Sequence, residues 1–258
     1  MKITIIGAGN MGAAIARGLC RGTIVKVEEI TVSNPSQGKL DALTAEFPQL
    51  MVTNNNVEAA RNADIVILAV KPWLVEHVVG EIGLHKGQIL VSVAAGISFN
   101  KLAQYAGDTP MTMFRLIPNT AISLLQSTTL IASCNATPQQ EKLMLDIFNE
   151  MGLALLLPEE KMAAATAMTS CGIAYALKYV QAAMQAGIEQ GIYPKDGMKM
   201  VAQSMKGAAE LILQNDTHPA VEIDKVCTPG GLTIKGINTL EELGFGNALI
   251  QAIKNSSK

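Results

Sequence analysis

The chain opens Lys2-Ile3-Thr4-Ile5-Ile6-Gly7-Ala8-Gly9-Asn10-Met11-Gly12, and this stretch decides the fold. Lys2 to Ile6 is a short β-branched run, the composition of a buried strand. The glycines follow directly, and Ala13-Ala14-Ile15-Ala16 then begins a helical pattern. Strand, glycine turn and helix in that order are what a dinucleotide fingerprint requires. Gly7 permits the tight turn, Gly9 leaves bare backbone toward a pyrophosphate, and Gly12 lets helix pack close to strand. The free N–H groups at the helix start, around Asn10 and Met11, would face the diphosphate. An ordinary glycine-rich turn would hold the same residues; the correct context on both sides favours nucleotide binding.

The end of the second strand selects the nucleotide. NAD sites usually carry Asp or Glu there to accept hydrogen bonds from the ribose diol. The strand Glu29 to Ser33 ends instead in Asn34-Pro35-Ser36, while Glu28 and Glu29 lie at its other end. Asn34, Ser36 and Lys39 would suit a 2′-phosphate, so NADP(H) is preferred and NAD(H) remains possible. The same residues also serve as turn and helix-cap residues.

At 258 residues the chain suits one large domain or two small ones. Hydrophobic residues make up 49% and aromatic residues 4%, with 13 methionines, so the core is aliphatic and Met-rich. A net charge of −2 without acidic or basic blocks argues against nucleic acid or an anionic membrane surface as main partner. No apolar run approaches the roughly 20 residues of a membrane span. The first residues already form a strand, leaving no room for a signal peptide. Cys20, Cys134, Cys171 and Cys227 are scattered without metal-ligand spacing, and His77, His85 and His218 form no ligand motif. No metal is expected, and the cysteines read as free thiols in a reducing cytoplasm.

The first half alternates strand and helix. A helix spans about Ser36 to Phe47, and a short strand Leu50 to Thr53. Asn54-Asn55-Asn56 is a turn and cap before a short helix to Asn62, with Asn56 a candidate cofactor contact. Asp64 to Val70 is an unbroken apolar run, which fits a parallel strand covered on both faces; it stops at Lys71-Pro72. Gln88 to Ala94 stops at Ala95-Gly96, and Met111 to Ile117 at Pro118-Asn119-Thr120. In open α/β sheets ligands bind beyond the carboxyl ends of the strands. The loops holding Ala69, Val70, Lys71, Pro72, Ala94, Gly96 and Asn119 therefore read as one cofactor cleft. Thr128 to Ser133, a helix Pro138 to Met151, and Leu153 to Leu157 complete a doubly wound parallel-sheet domain over residues 1–158.

Beyond Pro158 the periodicity is helical, over Ala163 to Met168, Ala174 to Gln190 and Lys195 to Gln214. Residues 159–258 are expected to form an all-α domain too slight to close a generous core alone, pairing with a second copy. Its informative segment is Thr228-Pro229-Gly230-Gly231-Leu232-Thr233. Thr228 reads as N-cap and Pro229 as first helical position. Gly230 and Gly231 would then lie in the first helical turn, at a cost of about 1 kcal/mol each relative to Ala. Close approach of an anion such as a carboxylate to bare N–H groups would explain them, with Thr228 and Thr233 hydroxyls as added donors. A merely flexible helix entry is the plain alternative.

These stretches together resemble the pyrroline-5-carboxylate reductase family, in order and over nearly the whole chain. The resemblance is carried by Gly7 to Gly12, Ala69-Val70-Lys71-Pro72, Ala94-Ala95-Gly96, Pro118-Asn119-Thr120 and the segment Val226 to Gly236. The family's usual Ser-Gly-Ser-Gly-Pro-Ala-Tyr is Thr169-Ser170-Cys171-Gly172-Ile173-Ala174-Tyr175 here. Ala121 replaces a common Pro, and Leu232 a residue that is usually small or hydroxylated. The resemblance implies a Rossmann domain followed by a helical dimerisation domain, with dimers often assembled into decamers. It implies reduction of the C=N bond of 1-pyrroline-5-carboxylate by NAD(P)H, giving L-proline. The carboxylate would sit at Gly230, Gly231, Leu232 and Thr233 with help from Thr228. Thr228 and Thr233 are then the candidate catalytic contacts.

Two other readings compete. β-Hydroxyacid dehydrogenases also join a Rossmann domain to helices and use a Lys after a glycine-rich helix start. Lys178 follows Gly172, but the second glycine position holds Ala174 and the usual Asn position holds Ala182. A non-catalytic NADP(H) sensor would have no evident need for the segment Thr228 to Thr233.

Overall fold

A computed structural model describes residues 1–107 and 110–257. The chain divides into two compact units, Met1–Ser170 and Cys171–Lys258. Residue 258, the last of the expected helical domain, lies outside the described residues.

The first unit runs β1 (Ile3–Ile6), α1 (Asn10–Arg21), β2 (Ile30–Ser33), α2 (Gln37–Glu46), β3 (Met51–Thr53), α3 (Asn56–Ala60), β4 (Ile65–Leu68) and α4 (Val75–Ile82). It continues with β5 (Ile89–Ser92), α5 (Phe99–Ala106), β6 (Thr112–Ile117), β7 (Ser127–Cys134), α6 (Pro138–Asn149), β8 (Gly152–Leu156) and α7 (Met162–Thr169). The eight strands form one sheet in the order β3-β2-β1-β4-β5-β6-β7-β8. The order reverses at β1, with β2 on one side and β4 on the other, both parallel to it.

The fully apolar strands are buried on both faces, and their alternation builds two cores. Ile3, Ile5, Ile65, Ile67 and Val91 face α1, α2 and α6. Ile6, Val66, Leu68 and Leu90 join the α4, α5 and α7 side, where Met162 also packs. Met162 packs α7 against the sheet, and the compact first unit runs on to Ser170. Each fully buried aliphatic side chain contributes about 1.5–3 kcal/mol, and Ile3, Ile5 and Ile6 of β1 are among them.

The sheet departs from the expected all-parallel arrangement at one pairing: β7 runs antiparallel to β6, with Ile117 opposite Leu130. The cause is the link between them. Residues 118–126 hold only a 3₁₀ turn, Thr120–Leu124, closed by Leu125 at φ 58°. A parallel return needs a longer crossover, usually a helix. The helix α6 supplies one between β7 and β8, which are parallel. Its start is fixed by a capping box between Thr137 and Gln140.

The second unit comprises α8 (Gly172–Glu189), α9 (Pro194–Asn215), α10 (Pro219–Val226), α11 (Leu232–Glu242) and α12 (Phe245–Ser256). α8 and α9 form a hairpin through Gly191 at φ 86°. Tyr175 Oη lies 2.6 Å from Ser256 Oγ, joining the start of α8 to the end of α12. Gly197 is the one buried residue among these helices. Leu177, Leu211, Leu213, Leu243 and Ile250 are exposed. The expected helices are present; α10 and α12 are additions to them.

Candidate functional site

The parallel strands β1, β2, β4, β5 and β6 bring their carboxyl ends to one edge of the first unit. The three fingerprint glycines there have different physical causes. Gly7 takes φ 106°, and an added Cβ would lie 2.7 Å from the Ala69 carbonyl oxygen. A Cβ on Gly12 would lie 1.9 Å from the carbonyl oxygen of Gly7, so no other residue fits. Gly9 has no protein atom within 4 Å of that position. Its surroundings are open, the condition a ligand needs. Gly9 is also the N-cap of α1 and supplies no side-chain cap. The first-turn N–H groups, Asn10 and Met11 among them, are left for an anion.

At the end of β2, Asn34 is buried and both polar ends of its side chain are engaged. Its Oδ1 accepts the Ala8 N–H at 3.0 Å and its Nδ2 donates to the Ser36 carbonyl at 3.2 Å. Asn56 is similarly occupied, accepting from Ser33 Oγ at 2.7 Å and donating to Glu81 at 3.1 Å. Ser36 caps α2 in backbone terms but makes no side-chain cap bond. Lys39 joins Gly9, Asn10, Arg17, Thr120 and Ser123 around an open depression of about 440 Å³. Arg17 is tied to Glu46 by a fork of hydrogen bonds at 2.6–3.0 Å. The hydrogen bond and charge of Arg17 hold the Glu46 carboxyl below its ordinary range.

The other loops of this edge follow β4, β5 and β6. Ala69 donates its N–H to Ile6 at 2.8 Å, and Val70 is half-buried. Lys71 is exposed and extended ahead of a 3₁₀ turn beginning at Pro72. Ala94 is buried, and Gly96 takes φ 74°. Asn119 is buried; its Oδ1 accepts the Ala121 N–H at 3.0 Å and its own N–H donates to Ser127 Oγ at 3.1 Å. One participant was not anticipated. Arg115 on β6 pairs with Glu159 at 2.6 Å, and Glu159 also accepts the Phe99 N–H at 2.9 Å. An arginine within an otherwise apolar strand was the available signal, since such a charge needs a partner.

The second unit holds Thr228 to Thr233. The helix begins at Leu232 with Gly231 as N-cap, rather than at Pro229 with Thr228 as N-cap. The reason is Gly230, whose φ of 72° breaks any right-handed helix from Pro229. Gly231 donates its N–H to the Thr228 carbonyl at 3.0 Å, closing a turn over 228–231. Pro followed by Gly at the centre of a four-residue turn is a type II signature, and it was legible in the sequence. Thr228, Leu232 and Thr233 are exposed, and α11 begins without a side-chain cap. Bare N–H groups and two hydroxyls are thus available to an anion. Lys178, the alternative catalytic lysine, donates to Gln181 at 3.0 Å on an exposed face.

All four cysteines are free, and burial pushes the Cys20 thiol up to about 11. Among the described residues no group of three or more His, Cys, Asp or Glu could hold a metal ion. Among them, too, no helix is long and apolar enough to cross a membrane.

Comparison with known proteins covers both units. Residues 159–258 match the family model for pyrroline-5-carboxylate reductase dimerisation, and residues 2–96 the model for NADP oxidoreductase, coenzyme F420-dependent. Pyrroline-5-carboxylate reductase 2 of Dictyostelium discoideum is 35% identical over 273 residues, covering 100% of this chain and 91% of its own length. Pyrroline-5-carboxylate reductase 1 of the same organism is 35% identical over 269 residues, covering 99% of this chain; the match spans 48% of that longer protein. Pyrroline carboxylate reductase of Plasmodium falciparum, solved with NADP bound, superposes with a TM-score of 0.89 at 27% identity, covering 100% of this chain and 95% of that one.

Proposed function

The chain belongs to the pyrroline-5-carboxylate reductase family, and on that premise we propose that it reduces 1-pyrroline-5-carboxylate to L-proline, the last step of proline synthesis. It is an NAD(P)H-dependent oxidoreductase acting on a C=N bond, and NADP(H) is its preferred nucleotide. The observation that carries this reading is the likeness across both units, joined to a glycine cradle that a Cβ at Gly7 or Gly12 would fill. When bound, NADPH supplies the hydride.

The chain's own residues bind and orient. Residues 1–158 form the nucleotide-binding part. Gly7, Gly9, Asn10, Met11 and Gly12 hold the diphosphate against the start of α1. Asn34, Ser36 and Asn56 shape the adenosine end. Ala69, Val70, Lys71, Pro72, Ala94, Gly96 and Asn119 line the nicotinamide end. Residues 159–258 hold the substrate and the partner subunit. The N–H groups of Leu232 and Thr233, with the bare backbone of Gly230 and Gly231 beside them and the Thr228 hydroxyl, bind the substrate carboxylate at the start of α11. Thr233 hydrogen-bonds the ring nitrogen or the carboxylate. A substrate arriving as the iminium is already electrophilic and needs no strong general acid from the chain.

The exposed apolar residues of α8 to α12 support a homodimer through this unit, with a decamer as the larger assembly. The free cysteines fit a reducing cytoplasm.

The test follows loss of reduced-nicotinamide absorbance when pyrroline-5-carboxylate is added with NADPH, then with NADH, and assays proline formed. Rapid NADPH loss with proline is the expected result. Oxidation of a hydroxy acid with no action on the cyclic imine would replace this reading with a β-hydroxyacid dehydrogenase.

A further inference from the structure

We infer that Asn34 is a positioning residue for the nucleotide, holding the glycine turn in its binding form rather than contacting the ribose or the 2′-phosphate. The inference rests on the NADP(H) reading above. Asn34 stands where a dinucleotide fold usually presents its ribose-selecting side chain. Here that side chain is turned inward and only 6% of the residue is exposed. Oδ1 accepts the Ala8 N–H at 3.0 Å and Nδ2 donates to the Ser36 carbonyl at 3.2 Å. The chemistry fixes that orientation, because an N–H can only donate and a carbonyl can only accept.

Ala8 lies between Gly7 and Gly9, so the bond acts at the centre of the turn. Gly7 is itself tied to β2, donating its N–H to the Ser33 carbonyl at 2.8 Å. Asn34 is held in its turn by its backbone: its N–H donates to the Thr53 carbonyl at 3.2 Å, and its carbonyl accepts from Asn54 Nδ2 at 2.8 Å. The ends of β2 and β3 and the turn after β1 therefore form one hydrogen-bonded chain. A glycine-rich turn is conformationally permissive, and this chain removes that freedom before the nucleotide arrives. The Ser36 hydroxyl on the same turn and the Lys39 side chain in the first turn of α2 are exposed and make no side-chain hydrogen bond among the described residues. Recognition of the 2′-phosphate falls to them.

Titration calorimetry with NADPH and with NADH separates the roles. Asn34→Ala is expected to raise both dissociation constants by the same factor, roughly three- to tenfold for one lost hydrogen bond. Ser36→Ala is expected to raise the NADPH constant alone. Asn34→Asp keeps an acceptor for Ala8 and is expected to bind NADH within about threefold of wild type; hydrogen exchange at the Ala8 N–H, slow in wild type and Asn34→Asp and fast in Asn34→Ala, separates this rescue from a new carboxylate contact with the ribose. Weakening of NADPH alone in Asn34→Ala would make Asn34 a phosphate ligand and overturn the inference. A lower melting temperature with both constants unchanged would make the contact merely structural and also overturn it. Should Asn34→Ala not fold, Asn34→Ser, whose shorter side chain cannot span Ala8 and Ser36, takes its place with the same two overturning outcomes. Wild-type protein that binds neither nucleotide removes the NADP(H) reading, and this inference with it, before any variant is compared.

Discussion

A Cβ on Gly231 would lie 2.6 Å from the Oγ1 of Thr228. The bare position 231 thus leaves room for that hydroxyl beside the turn that sets up the start of α11. Gly231→Ala must push the Thr228 hydroxyl away or open the turn, and either change disturbs the proposed carboxylate site. The expected result is a KM for pyrroline-5-carboxylate raised by roughly tenfold, with the dissociation constant for NADPH unchanged. Steady-state kinetics with calorimetry checks both parts, and an unchanged KM would remove this turn from substrate binding.

Thr233→Ala deletes one exposed hydroxyl and leaves the helix backbone intact. It should lower kcat/KM by roughly tenfold, the scale of one lost hydrogen bond to a charged group. A wild-type value in a folded variant would take Thr233 out of the mechanism.

The glycines of the fingerprint divide by cause, and their variants should divide likewise. Gly12→Ala drives a Cβ into the Gly7 carbonyl and is expected to destabilise the apoprotein by about 1–3 kcal/mol, the usual range for overpacking. Gly9→Ala meets no protein atom and should lower the apoprotein melting temperature far less than Gly12→Ala, by no more than the poorer N-cap costs. It should nonetheless weaken NADPH roughly tenfold or more, about 1.4 kcal/mol of binding. Equal melting temperatures for the two variants would contradict the geometry.

Glu150 gives the first unit an acid-sensitive clasp. Its carboxylate accepts the Thr23 and Ile24 N–H groups at 2.8 and 3.1 Å, and also the Thr23 hydroxyl. Burial opposes ionisation, but these hydrogen bonds together outweigh it and hold the carboxyl below its ordinary range. A depressed folded-state value means the contribution is present above the ordinary glutamate range and is lost as pH falls through the lower value. Urea midpoints of wild type and Glu150→Gln should therefore differ at pH 7 and converge as pH falls below the ordinary glutamate range. A gap that persists in acid would show that the charge is not what matters.

Leu213 on α9 is 70% exposed, in a unit whose helices bury almost nothing by themselves. Light scattering should return at least a dimer for the wild type and a smaller species for Leu213→Asp. Identical masses would move the contact elsewhere on the helices.

Features written in neighbouring residues were legible in the sequence. The glycine fingerprint, the buried strands and the helical second half each follow from local pattern. Four features do not follow from that reading. The direction of β7 is invisible in its apolar run, which reads alike both ways; the length of the link over residues 118–126 decides it. The role of Asn34 depends on Ala8, far away in sequence, so its residue type suggested a phosphate contact or a turn. The start of α11 depends on the sign of φ at Gly230, which the Pro-Gly pair encodes and the helix-cap reading overrode. The Arg115–Glu159 pair joins a strand to a loop beyond the sheet, and only the solitary charge on β6 hinted at it.

The reversal at residues 118–126 also bears on how the sheet assembles. Every parallel pairing must wait for a crossover to be threaded, as when Ile3 meets Ile65. The β6–β7 pairing closes over a short link, so it loses the least chain entropy on forming. It is the step expected to form earliest, and β5 and β8 can then add to its two sides. On this order the glycine turn after β1, four strands from β7 in the sheet, is completed late in folding.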